Sequence, residues 1–167
     1  MNKYYIKYIK LLLVLVLVQV MILNEILFFT YINPYLYLIL IIRWPLKGPR
    51  WFLLVYGFIL GFSIDIFSGS LGFHSTATVF IAFIRNTIAK ITIPHNVLGD
   101  YDEITLNKIG SKSFITFSVL MILTHYTILF ILDHMQLNWQ IMTKIIASML
   151  VTLILVLILE ILNSSRK

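Results

Sequence analysis

Apolar segments separated by turn or charge signals lie at residues 11–30, 51–67, 73–91, 114–132 and 141–162, with a shorter one at 32–44. A helix needs roughly 20 apolar residues, at a rise of about 1.5 Å each, to cross the hydrocarbon core of a bilayer, and five of these stretches are long enough. The chain has 167 residues, 60% of them hydrophobic and 12% charged, so the spans leave no room for a soluble domain. The stretch at 32–44 is ambiguous. As a helix it reaches roughly 20 Å, short of a core about 30 Å thick.

Charge placement decides whether that short stretch crosses, because Lys and Arg concentrate in cytoplasmic loops and at cytoplasmic helix ends. With six crossings and both termini inside, the inner side receives Lys3, Lys7, Lys10, Arg43, Lys47, Arg50, Arg85, Lys90, Lys108, Lys112, Arg166 and Lys167. That is 12 of the 13 cationic residues, and only Lys144 faces out. If 32–44 failed to cross, Arg43, Lys47 and Arg50 would lie outside. The sequence therefore predicts an all-α integral membrane protein, a six-span helical bundle with a short second span, N-in and C-in, forming a single transmembrane domain over 1–167. The net charge of +6 then reports topology rather than nucleic-acid binding.

The basic start and apolar stretch at 3–30 also read as a secretory signal. That stretch exceeds the usual apolar core of about 7–15 residues and lacks a small-residue cleavage site, so it is taken as the first span. Tyr4, Tyr5, Tyr8, Trp44 and Trp51 on the inner side, and Tyr31, Tyr35 and Trp139 on the outer, supply interfacial aromatic belts. The one substantial connection, the cytoplasmic loop 92–113, carries Asp100, Asp102, Glu103, Lys108 and Lys112. Gly99 and Gly110 suggest turns around a short surface helix, and the loop is either a solvated linker or a docking site.

Within the third stretch, Gly57, Gly61 and Asp65 recur every fourth residue and share one helical face. Two glycines at that spacing admit another helix closely, and an intramembrane carboxylate needs a partner, so this face is expected to be buried in protein. Counting from Arg50, Asp65 sits about 22 Å across, in the outer leaflet. Glu25 and His125 lie at similar depth from Lys10 and Lys112, and Lys144, His74, Asp133 and His134 lie at outer helix ends. These positions predict an outer-leaflet polar cluster of Glu25, Asp65, His125 and Lys144, with Lys144 as counter-ion to Asp65 or Glu25; snorkelling of these groups to the interface is the alternative. Gly69, Ser70, Leu71 and Gly72 form a tight turn before His74.

Other chemistry lacks its pattern. There is no Cys, hence no disulfide and no thiolate chemistry. No span carries His-x-x-x-His or Glu-x-x-His spacing, and no nucleophile elbow is present. No catalytic residue, metal or cofactor is expected, and the chain reads as a non-enzyme.

The run from Gly57 to His74, preceded by a basic loop with Trp44-Pro45 and Pro49-Arg50, resembles the signature of the bacterial rod shape-determining MreD family. Asn33-Pro34 opening the short second span, Gln19 inside the first, and an acidic loop after Pro94 leading to a His in the fifth span are similar to the same family. The likeness covers about residues 11–132. It implies a non-enzymatic scaffold in the bacterial cytoplasmic (inner) membrane, part of the cell-elongation machinery that maintains cell shape. The partners it implies are MreC, the RodA glycosyltransferase with its class B transpeptidase, and the MreB filament at the cytoplasmic loops. Gly57 and Gly61 would accept the single transmembrane helix of MreC, Asp65 would fix register or cap a polar contact, and Gly69 to His74 would shape the outer turn. The family's helical arrangement is similar to the S-component of energy-coupling-factor transporters, which makes a vitamin-binding transporter subunit the alternative reading. In that reading the polar outer cluster would line the pocket.

Overall fold

The computed structural model of the protein describes residues 3–24, 32–46, 48–98, 103–133 and 139–164. Over these residues the chain is helical, with no strand. Helix α1 (Lys3–Val18) runs on into a π-helical turn (Gln19–Leu23) and is followed by α2 (Leu38–Ile42), α3 (Arg50–Ser68), α4 (Phe73–Thr92) and α5 (His95–Leu98). Next come α6 (Leu106–Ile109), α7 (Ser111–Asp133) and α8 (Trp139–Ser164). Four described segments are long and apolar enough to cross a membrane: Ile6–Leu23, Arg50–Ser68, Ser111–Asp133 and Trp139–Asn163. The protein is a multi-pass helical membrane protein. These four segments correspond to the expected first, third, fifth and sixth spans; residues 25–30 of the first lie outside the described residues.

The remaining two expected spans depart from simple lipid-facing helices for physical reasons. Helix α4 has 20 residues, about 30 Å of helix, but it is polar because it is the hub of the bundle, packed on α3 and α7. His74, Ser75, Thr78 and Arg85 are all buried in it. The α3–α4 seam is close because α3 offers glycine. A Cβ at Gly57 would stand 3.2 Å from the Thr78 carbonyl oxygen and 3.3 Å from Ala82 Cβ, and one at Gly61 would collide with Thr78 Oγ1, Ser75 Cα and the His74 carbonyl. The glycine face is thus buried in protein as its spacing predicts, but the helix it accepts is α4 of the same chain. That corrects the expectation that Gly57 and Gly61 receive the helix of MreC.

The 32–44 stretch is not a continuous short helix. Only Leu38–Ile42 is α-helical, and residues 37–42 are almost completely buried. Non-helical backbone buried this completely needs its hydrogen bonds supplied by protein, and here the surrounding helices do so. At one end, the Asn33 and Tyr35 N–H groups donate to Ser148 Oγ and Thr152 Oγ1 of α8, both at 3.0 Å. The Tyr126 hydroxyl of α7 donates to the Asn33 carbonyl at 2.7 Å. Gln19 closes the set, its Nε2 donating to the Pro34 carbonyl at 2.9 Å and its Oε1 accepting from Leu36 N–H at 3.1 Å. The π-helical turn begins at Gln19, with Asn24 N–H donating to the Gln19 carbonyl at 2.8 Å.

At the other end of the segment the donor is Arg85. Its Nε donates to the Ile41 carbonyl at 2.7 Å, while Nη2 donates to the Ile42 carbonyl at 3.2 Å and also to that of Trp44. The Tyr8 hydroxyl donates to the Arg43 carbonyl at 3.0 Å. Counted by charge among the inner-side cations, Arg85 is instead wholly buried, with its planar fork matched to the carbonyls of Ile41, Ile42 and Trp44. Trp44 and Tyr8 likewise leave the expected aromatic belt for the core, their rings 4.7 Å apart.

The segment after α5 folds back onto this end of the bundle, which corrects the solvated-linker reading for residues 103–109. Ile104 and Ile109 enter the core, and Glu103 pairs with Pro45 in an isolated antiparallel bridge. The Glu103 carboxylate accepts from Lys7 Nζ at 2.7 Å and from Arg43 Nη2 at 3.3 Å. Arg43 Nη1 lies 3.6 Å from Glu160 Oε2, and Glu160 Oε1 accepts from Leu106 N–H at 3.1 Å. Gly99, Asp100 and Asp102 lie outside the described residues. Burial raises the Glu103 carboxyl pKa, but Lys7 and Arg43 outweigh it and hold the group below its ordinary range.

Two outcomes follow from this arrangement. Replacing Arg85 by Met strands the carbonyls of Ile41, Ile42 and Trp44, at about 1–3 kcal/mol for a buried group left unpaired. Thermal unfolding in mild detergent should show a large loss, only partly recovered by Arg85→Lys, whose point charge cannot fork. Because the Glu103 pKa is depressed on folding, its contribution is fully present above the ordinary carboxyl value, about 4.3, and is lost as pH falls further. Proteolysis at residues 103–110 should therefore stay constant from neutral pH down to about 5 and rise below about 4.

Candidate functional site

Asp65 ends the glycine stripe of α3, and its carboxylate is spent on the start of α4. Oδ1 accepts from His74 N–H at 3.0 Å and Oδ2 from Ser75 N–H at 2.9 Å, while the Ser70 hydroxyl donates to Oδ1 at 2.5 Å. The first N–H groups of a helix have no intrahelical acceptor, and a negative charge there is favoured by the helix dipole. The connecting turn needs left-handed backbone at Gly69 (φ 65°) and Gly72 (φ 85°), which glycine adopts without strain. Asp65 and the glycine turn together fix where His74 emerges.

His74 then meets residues from two other elements. The Tyr37 hydroxyl, just before α2, lies 2.9 Å from His74 Nδ1 and 3.2 Å from His125 Nε2 of α7. A phenol has one proton, so Tyr37 donates to one imidazole and accepts from the other. The chain His74–Tyr37–His125 therefore has two senses, coupled to the tautomers of both rings. Tyr35 packs against His74, His125 and Tyr126, with ring centroids 5.2, 5.4 and 4.9 Å away. His125 is fully buried, and its Nδ1 has no hydrogen-bond partner among the described residues.

A cleft of about 360 Å³ opens above this chain, lined by Val20, Asn24, Asn33, Tyr35, Phe67, Ser68 and His74. A smaller one of about 80 Å³ lies beside it, sharing Asn33 and Tyr35 and lined also by Tyr126, Asp133, Lys144 and Ser148. Of the predicted polar cluster, Asp65 and His125 are thus at the same end of the bundle, linked through His74 and Tyr37. Lys144 is not the counter-ion of Asp65. The Asp65 oxygens are satisfied by α4 and Ser70, and Lys144 belongs to the smaller cleft. Glu25, the other proposed counter-ion partner, lies outside the described residues, as does His134. Sequence reasoning missed Tyr37 and Gln19 as members of this end. Their signal was a hydrogen-bonding side chain inside an otherwise apolar stretch.

Among the described residues no group of three or more His, Cys, Asp or Glu could hold a metal ion. The site offers neutral hydrogen-bonding groups and aromatic faces. No protein-family model matches the chain, and neither the curated proteins nor the solved structures contain a match. Fold and site define a class: a multi-pass helical membrane protein with a buried imidazole–phenol chain beneath a polar cleft.

The Asp65 cap has a direct test. Asp65→Ala leaves the His74 and Ser75 N–H groups without their acceptor and should lower stability by about 1–3 kcal/mol. Ser70→Ala, which leaves both bonds in place, should cost about 1 kcal/mol or less. Reversible unfolding in mixed micelles measures both.

Proposed function

We propose that this protein is a non-enzymatic scaffold of the MreD type in a bacterial cytoplasmic membrane, binding MreC and helping to position RodA and its class B transpeptidase for cell-shape maintenance. In this reading the chain crosses six times with both termini inside. The 32–44 segment is read as the short second crossing, and its running alongside the first helix supports this. Its two ends hydrogen-bond to Gln19 and Tyr8, about 16 Å apart along α1 and its π-helical continuation. Helix α4, about 30 Å long, supplies the fourth crossing. The observation that carries the scaffold reading is the bracing of that segment by four surrounding helices, which gives the bundle one fixed shape to present to partners.

With the glycine face filled by α4, the partner helix needs another groove. The flank of the same α3–α4 seam offers one, about 490 Å³, lined by Leu54, Phe58, Ser75, Thr76, Val79, Phe80 and Phe83. Small side chains floor it and three phenylalanines wall it, and Phe58 and Phe83 are 50% and 71% exposed. Small residues at a membrane helix interface allow close approach. The alternative, an S-component-like subunit that captures a small molecule, draws support from the polar cleft above His74. The two readings separate by what co-purifies: MreC and the synthase pair, or a transport ATPase module.

Val79→Trp should fill the α3–α4 groove and abolish MreC recovery in a mild-detergent pull-down while leaving the unfolding midpoint unchanged. Gly61→Leu should instead disrupt folding itself, because its side chain would meet α4. Undiminished MreC recovery with Val79→Trp would remove this groove from the proposal.

A further inference from the structure

The cleft above His74 contains hydrogen-bonding groups that the fold leaves unused. The Asn33 backbone is engaged, but its side-chain amide makes no hydrogen bond among the described residues, and the same is true of the Tyr35 hydroxyl and of His74 Nε2. Ser68 and Asn24 bond to each other at 3.0 Å and keep further donor and acceptor capacity at the rim. No charged side chain is among the described residues that line the cleft, since the nearby Asp65 is committed to α4. Two aromatic rings, Tyr35 and Phe67, flank these polar groups, and Phe67 is 63% exposed.

Neutral, mixed donor–acceptor groups interleaved with aromatic faces suit an uncharged ligand bearing several hydroxyls on a ring with an apolar face. A volume of about 360 Å³ falls within the usual range of small-molecule sites, about 300–1,000 Å³. We infer that this cleft is a binding site for an uncharged polyhydroxylated ring, either a free sugar or the sugar headgroup of a glycolipid, with His74 Nε2 and the Asn33 amide as its central contacts. His74 then carries the occupancy of the cleft inward. A ligand hydroxyl that donates to Nε2 places the imidazole proton on Nδ1, which donates to Tyr37, and Tyr37 donates to His125. A ligand that accepts from Nε2–H reverses every bond in that chain. The inference rests on the cleft alone and holds whether the protein is a scaffold or a transporter subunit.

The test uses the full chain in nanodiscs with two probes, soluble methyl β-glucopyranoside and a monoglucosyl diacylglycerol incorporated in the bilayer. Binding is read by saturation-transfer NMR for the first and by native mass spectrometry for the second. The expected result is saturable binding of at least one probe, weakened about tenfold or more by Asn33→Ala, with Lys144→Gln unchanged; tenfold is about 1.4 kcal/mol. Asn33→Ala removes a side chain with no hydrogen bond to the fold, so an unchanged unfolding midpoint separates lost binding from lost structure. His74→Gln in ¹⁵N-histidine-labelled protein should abolish the ligand-induced shift of His125. Binding of the soluble glycoside identifies the sugar ring as sufficient, and binding of the glycolipid alone assigns the lipid source. No saturable binding of either probe by the folded wild type, or binding indifferent to Asn33→Ala, overturns the inference.

Discussion

The constraint on which the rest of this structure depends is the cost of bare backbone in hydrocarbon. A straight helix satisfies its own peptide groups, whereas residues 32–44 contain only five residues of α-helix and leave N–H and carbonyl groups facing their neighbours. Each such group left unpaired costs several kcal/mol in a bilayer. The polar side chains of the surrounding helices are placed to meet it. Gln19, Arg85, Tyr126, Ser148 and Thr152 look anomalous one by one within apolar stretches, yet all reach the same backbone. The broken segment is the template, and the apolar helices are arranged around it.

A second dependency runs through the α3–α4 pair. The glycines of α3 bring the two backbones together, the left-handed turn at Gly69 and Gly72 reverses the chain, and Asp65 ties the new helix back to the old one. The position of His74, and with it the imidazole–phenol chain, follows from these local choices. The chemistry of the cleft is thus set by the same turn that makes the hairpin.

Much of this was legible in the sequence. Segment lengths gave the helical membrane class, and the four-residue spacing of Gly57, Gly61 and Asp65 announced a buried face. Matched depth brought Asp65 and His125 to one end. What was not legible is partner identity. Periodicity shows that a glycine stripe is covered but not by which helix, and α4 covers it here. Charge arithmetic treats every cation alike, so Arg85 counted as an inner-side topology marker although it is buried against Ile41, Ile42 and Trp44. Depth arithmetic cannot see angular position about the bundle, which is why Lys144 and Asp65 appeared to be a pair. Helix α4 was recognisable by length but disguised by the polar groups its central place demands.

The bracing of residues 32–44 also makes the first part of the chain depend on the last. Asn33 and Tyr35 hydrogen-bond to Ser148 and Thr152, 115 and 117 residues further along the chain, and Leu106 N–H is met by Glu160, 54 residues later. Until α8 leaves the ribosome those groups have no protein partner. The backbone around Asn33, Tyr35 and Leu106 is therefore completed only by the last helix of the chain. A chain truncated before residue 148 would leave the Asn33 and Tyr35 N–H groups without their α8 acceptors.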